Sequence, residues 1–187
     1  MPVTILHIVY VWPILRKLKN GRITLFLGSM IPDIEIPILA VLGYSIPRGL
    51  AHSIIGAITI DSLLAVLTAR LLYSSMKVRK VLGIKNNLRE DIGYLWAIAS
   101  IGALSHVIID YLHHSYNPLL WPLLPIYFEG PLTITLGYFY ASLILHIVSA
   151  VILILILVYS TVKIKTSLSR LVLSPRTLYR VMVEPDF

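Results

Sequence analysis

Apolar runs separated by basic clusters and Gly/Pro breaks set the pattern of this chain. Val3–Leu15 is apolar but short. At about 1.5 Å per residue it reaches roughly 20 Å, less than the ~30 Å hydrocarbon core, so it predicts a partial span or an interfacial helix. Ile23–Leu42 follows and contains Gly28, Pro32, Asp33, Glu35 and Pro37. Prolines inside a helix remove a hydrogen bond and clash with the preceding turn, so this stretch predicts a kinked or broken span. Broken helices at membrane depth are tolerated where they line a polar cavity. Gly43–Ala51 reads as a turn through Gly43, Pro47 and Gly49. Ser53–Leu72 and Ile92–Tyr111 are full-length spans, and Leu136–Ser160 is the longest and most apolar. Tyr73–Asp91 reads as a polar loop, and His113–Pro131 as a Pro- and aromatic-rich one.

Composition supports the bilayer as solvent. Of 187 residues, 57% are hydrophobic and only 13% charged, against about 25% charged in a soluble domain. A soluble fold of this size leaves too much surface exposed to hide so many apolar side chains. The expected fold class is therefore all-α: a polytopic integral membrane helical bundle of four to five spans, one kinked at the Pro-Asp-x-Glu segment. Residues 1–160 form the membrane-embedded helical domain and 161–187 a basic cytoplasmic tail.

The net charge of +7 comes from three clusters between apolar stretches: Arg16–Arg22, Lys77–Arg89 and Lys163–Arg180. Nucleic-acid binding wants basic residues along one continuous face, so none is expected. Basic loops favour the cytoplasmic side, and all three clusters can lie there if the spans alternate. The turn near Arg48 and the loop His113–Pro131, which has no Lys or Arg, then face outward. The amino terminus lacks the charge-before-apolar order of a secretory signal and is read as retained. The tail reads as a plain flank of the last span, with a strip on the anionic inner leaflet as the alternative.

Ionisable groups in a bilayer are costly, so they usually have a partner and a function. There is no Cys, which leaves imidazole and carboxylate as metal ligands and excludes thiolate chemistry. His106-x3-Asp110-x3-His114 places three such groups one turn apart on one helix face. These are ligands that Zn²⁺ accepts; the plainer reading is a hydrogen-bonded His106–Asp110 pair at a helix end. Asp33 and Glu35 form a second carboxylate pair, in which one ligates and the other serves as general base toward a metal-bound water. Against this, Asp33 is also placed to cap a helix. His52 and His7 lie near the same predicted level, and Ser53 reads as an N-cap. Asp61 reads as structural. His113 points off the His106 face and ranks below His114; His146 has no carboxylate beside it. Trp121, Tyr127 and Phe128 fit a membrane interface, or a lid over an outward-facing site. No His-Glu-x-x-His, Gly-x-Ser-x-Gly or phosphate loop occurs.

The opening Met1-Pro2-Val3-Thr4-x-x-His7, then Gly28-Ser29-Met30-x-Pro32-Asp33-x-Glu35, His52-Ser53 and Ser105-His106-x3-Asp110 with His114 stand in one order. Together they resemble an uncharacterised prokaryotic family of membrane-bound metal-dependent hydrolases. The resemblance covers roughly residues 1 to 125. His113 stands where Thr is expected. The order is also distantly similar to that of zinc-dependent phospholipases C. That likeness implies His7, Asp33, His52, His106 and Asp110 as a metal set, with His114 next. Those enzymes use a later His-x3-Glu, whereas His146 is followed at that spacing by Ala150, so one or two metals are expected.

The resulting expectation is a membrane-embedded metal-dependent hydrolase of a lipid-like phosphoester or ester. A divalent metal, Zn²⁺ first, is held by His7, Asp33, His52, His106, Asp110 and His114, with Glu35 or Asp33 taking the proton. The site lies toward the outer face of the cell membrane. The alternative is a non-enzymatic transporter or sensor of a metal ion or proton. A third is a scaffold whose polar residues only join helices.

Overall fold

The computed structural model describes residues 4–46, 48–84 and 88–184. Met1, Pro2 and Val3 of the opening motif, Pro47 of the turn and Lys85 of the basic loop lie outside these. Among the described residues the chain is helical, with one isolated bridge between Asn117 and Phe128 and no strand. The helices are α1 (Ile8–Lys17), α2 (Arg22–Gly28), α3 (Glu35–Val41), α4 (Ile54–Ser74), α5 (Met76–Leu82), α6 (Ile92–His113), α7 (Pro131–Leu136), α8 (Tyr138–Lys163), α9 (Leu168–Leu173) and α10 (Pro175–Met182).

Among the described residues three helices, α4, α6 and α8, are long and apolar enough to cross a membrane. A fourth span arises if α2 and the segment Ile31–Val41, bent by 42°, count as one. The break falls at Ser29–Met30, directly before a 3₁₀ turn over Ile31–Ile34 that carries Pro32 and Asp33 and leads into α3. Proline at its start lacks an N–H to donate, so the break forms where the sequence predicts it. The first apolar run gives a 3₁₀ turn (Thr4–His7) and the ten-residue α1. At ten residues α1 is too short to cross a membrane by itself.

α6 is the central element. Asp91 caps it by accepting from the N–H groups of Gly93 at 2.8 Å and Tyr94 at 3.3 Å. α2 lies against it backbone to backbone: a Cβ at Gly28 would strike the Ala99 carbonyl, and one at Gly102 the Leu25 carbonyl. Small residues permit such close helix approach in membranes. Ser53 caps α4, its hydroxyl accepting from Gly56 N–H at 2.9 Å, as the sequence suggested. One π turn (Ala57–Asp61) then interrupts α4. α8 turns a long apolar face outward, including Phe139, Ile147, Ile154 and Val158, as a lipid-facing helix would.

The reading of Tyr73–Asp91 as a loop needs correction, and the tail has helices of its own. The segment Tyr73–Asp91 contains α5, and the tail forms α9 and α10. Both are held by packing that propensity alone does not reveal. Leu171, Tyr179, Val181 and Met182 of the tail join the core formed by Ile8, Val11, Trp12 and Leu15. The Trp12 indole N–H donates to the Val181 carbonyl at 3.1 Å, and the Tyr73 and Tyr179 hydroxyls lie 3.2 Å apart. Burial, with the bond to Tyr73, pushes the Tyr179 phenol well above its ordinary pKa. These contacts gather the three basic segments at one end of the bundle. The histidines lie toward the opposite ends of α4 and α6.

Candidate metal centre

Four buried side chains from three parts of the fold meet at one point. Asp33 comes from the 3₁₀ break, His52 from the turn before α4, and His106 and Asp110 from successive turns of α6. Each offers a ligand atom within 4.8 Å of all the others. Asp33 Oδ1 lies 3.4 Å from His106 Nε2 and 3.7 Å from His52 Nε2. Asp110 Oδ2 lies 3.7 Å from both of those nitrogens.

The outward nitrogen of each ring is fixed by its inner one. His52 Nδ1 lies 2.9 Å from Glu35 Oε2. His106 Nδ1 lies 2.9 Å from the Ser29 carbonyl, which the α2–α6 contact delivers. Both partners only accept, so Nδ1 carries a proton, and the neutral form of each ring presents an Nε2 lone pair to the cluster. Lone pairs facing carboxylates repel unless a cation lies between them. The separations are too long for good hydrogen bonds, and His52 Nε2, His106 Nε2, Asp110 Oδ1 and both Asp33 oxygens have no hydrogen-bond partner. Ligands about 2.1 Å from a tetrahedral ion lie about 3.4 Å apart. The spacing thus fits a shared ion better than a His106–Asp110 hydrogen bond. The N/O donor set suits Zn²⁺ and similar divalent ions.

The remaining expected ligands gather round this group. His7 stacks on His106 with ring centroids 3.7 Å apart, and its Nε2 lies 3.4 Å from Asp110 Oδ1. It is outside the four-residue set. His114 Nε2 lies 3.9 Å from the same oxygen. His113, ranked low in the sequence, is fully buried beside it, and Asp110, His113 and His114 form a second set within 4.8 Å. His146 bonds to the Ser142 carbonyl of its own helix at 2.6 Å and meets His113 only edge-on. Asp61 is buried on α4 outside both sets, its Oδ2 without a partner.

Glu35 does not face the cluster as a free base. Its carboxylate accepts from Gly49 N–H at 2.8 Å and Ala51 N–H at 3.1 Å, besides His52. It ties the turn before α4 to the helix break and sets the His52 ring.

Sequence reading missed Arg48, taken there only as a turn residue. It is buried, donates to Asp110 Oδ2 at 2.5 Å and reaches Asn117 Oδ1 at 3.5 Å. A lone Arg carries no spacing signal, and only the folded turn brings it to α6. Beside it lies a cavity of about 300 Å³, lined by Ile36, Ile46, Arg48, His114, Tyr116 and Tyr138.

The fold and the site together define a polytopic helical membrane protein with a buried His/Asp cluster able to hold a metal ion. More narrowly, the chain belongs to the YdjM inner membrane protein family, whose sequence profile matches residues 1–174. No curated protein and no solved structure matches the chain.

Proposed function

We propose that this chain is a membrane-embedded metal-dependent hydrolase acting on a phosphoester or ester of a lipid-like substrate. The observation that carries this reading is the convergence of four buried side chains, Asp33, His52, His106 and Asp110, with the Nε2 atoms of His52 and His106 and both Asp33 oxygens left without a hydrogen-bond partner. Such an arrangement is costly without a cation at its centre. A divalent ion there supplies a water of lowered pKa and polarises the ester. Asp33 presents Oδ1 to the histidines and has Oδ2 free of hydrogen bonds to accept the proton of the attacking water. Glu35, bonded to His52 Nδ1, acts as a positioning residue through that ring.

The cavity supports the substrate class. Arg48 at its wall suits an anionic head, while Ile36, Ile46 and Tyr138 suit the start of a hydrocarbon chain. Below the cluster, Ile8, Val11, Leu15, Ile23 and Leu25 fill the bundle. A transporter needs a polar path onward, so this plug favours an enclosed, one-sided site.

The test uses the full chain purified in detergent. Zinc-dependent release of alcohol from a phosphoester lipid in mixed micelles is expected. It should be lost on chelation and in His106→Ala, which should also lose the metal. A metal-free protein, or turnover indifferent to chelation, would overturn the reading.

A further inference from the structure

We propose that the centre is dinuclear: a second divalent ion sits on the other side of Asp110, held by His113 and His114. This rests on Asp110 being a ligand in the first site. The two oxygens of Asp110 face different groups. Oδ2 is turned toward His52 and His106, whereas Oδ1 is turned toward His7 and His114. The Oδ1 side has its own complement of ligands. Asp110, His113 and His114 offer atoms within 4.8 Å of one another, all from buried residues.

His113 and His114 are neighbours in sequence and would diverge on a regular helix. α6 ends between them: His114 has φ −109° and ψ 150°, which is extended backbone. The two rings are thereby brought to 4.0 Å between centroids. His113 Nδ1 lies 2.9 Å from the Ile109 carbonyl, an acceptor, so its Nε2 is the lone-pair nitrogen. That Nε2, His114 Nε2 and Asp110 Oδ1 are all buried without a hydrogen-bond partner. Two imidazole nitrogens and a carboxylate oxygen, all buried, form a donor set whose chemistry calls for a cation. A carboxylate bridging two ions is the arrangement of two-metal hydrolases, which hold the attacking and leaving oxygens together. His114 lines the cavity beside Arg48, so the second ion would meet a substrate head there.

Metal stoichiometry of the full chain tests this. The metal-stripped protein in detergent is titrated with zinc, and bound metal per chain is read by elemental analysis after desalting. Two ions per wild-type chain are expected, falling to one in His113→Asn/His114→Asn, with two retained in His146→Asn. Saturation of the wild type at one ion overturns the second site and leaves the first standing, and it needs no variant to fold. Two ions retained in the double variant would equally overturn it. No bound metal in the wild type removes both sites together with the hydrolase reading.

Discussion

Glu35 Oε2 lies 2.9 Å from His52 Nδ1, and that contact decides the role of each residue. The carboxylate fixes the tautomer, leaving His52 Nε2 to face Asp33 and Asp110. Partners that orient a ligating histidine typically contribute about 10–100-fold to metal affinity. Glu35→Gln should therefore weaken zinc binding by about that factor, with turnover recovering at high zinc. A competition titration against a chelator checks it. Full affinity with turnover abolished would return Glu35 to the role of general base.

Arg48 and Asp110 form a buried pair, and removing one partner leaves the other charge uncompensated. Such losses cost about 3–5 kcal/mol in the interior. Arg48→Met should lower the melting temperature of the metal-stripped protein markedly and that of the zinc-loaded protein much less, because the ion then neutralises Asp110. Thermal unfolding with and without chelator makes the comparison. Equal losses in both states would place Asp110 away from the ion.

Gly28 and Gly102 bring the α2 and α6 backbones together and so deliver the Ser29 carbonyl to His106. Gly102→Val forces a shift of backbone, for which about 1–3 kcal/mol is a typical cost. It should also lower zinc affinity, although it touches no ligand. Unfolding in detergent and a zinc titration read the two effects separately. Unchanged affinity in a destabilised variant would uncouple the helix contact from the site.

The chain contains no Cys, so single-cysteine labelling can establish which end faces which side. The basic segments gather at one end through the Trp12–Val181 and Tyr73–Tyr179 contacts. Ser169→Cys should react with a membrane-impermeant maleimide only after the cells are opened, and Tyr116→Cys in intact cells. The reverse pattern would invert the orientation drawn from the positive-inside rule.

Much of this fold was legible because bilayer physics writes itself into composition. The spans of α4, α6 and α8 follow from apolar length, and the broken span from Pro32 and Pro37. The i, i+4 spacing put His106 and Asp110 on one face of α6, whereas His114 lies just past the helix end in extended backbone. What brought Asp33 and His52 to that face was order along the chain and resemblance, not periodicity. Three features were not legible. Arg48 is brought in by a turn whose path only tertiary packing fixes. His113 joins the site because α6 stops beneath it, and helix ends are poorly marked in sequence. α9 and α10 form because Leu171 and Tyr179 find the α1 core, a long-range contact that no local pattern encodes.

The claim that a metal ion lies among Asp33, His52, His106 and Asp110 is tested most directly by X-ray absorption at the zinc edge. The sample is the purified chain loaded with one equivalent of zinc. A first shell of nitrogen and oxygen only, at about 2.0–2.1 Å, with the outer-shell scattering of at least two imidazoles, is expected. Measured in a His113→Asn/His114→Asn background, so that the second site cannot take the ion, the added His52→Asn/His106→Asn change should abolish this imidazole signal. A spectrum of hydrated zinc, or an imidazole signal unchanged in that variant, would contradict it.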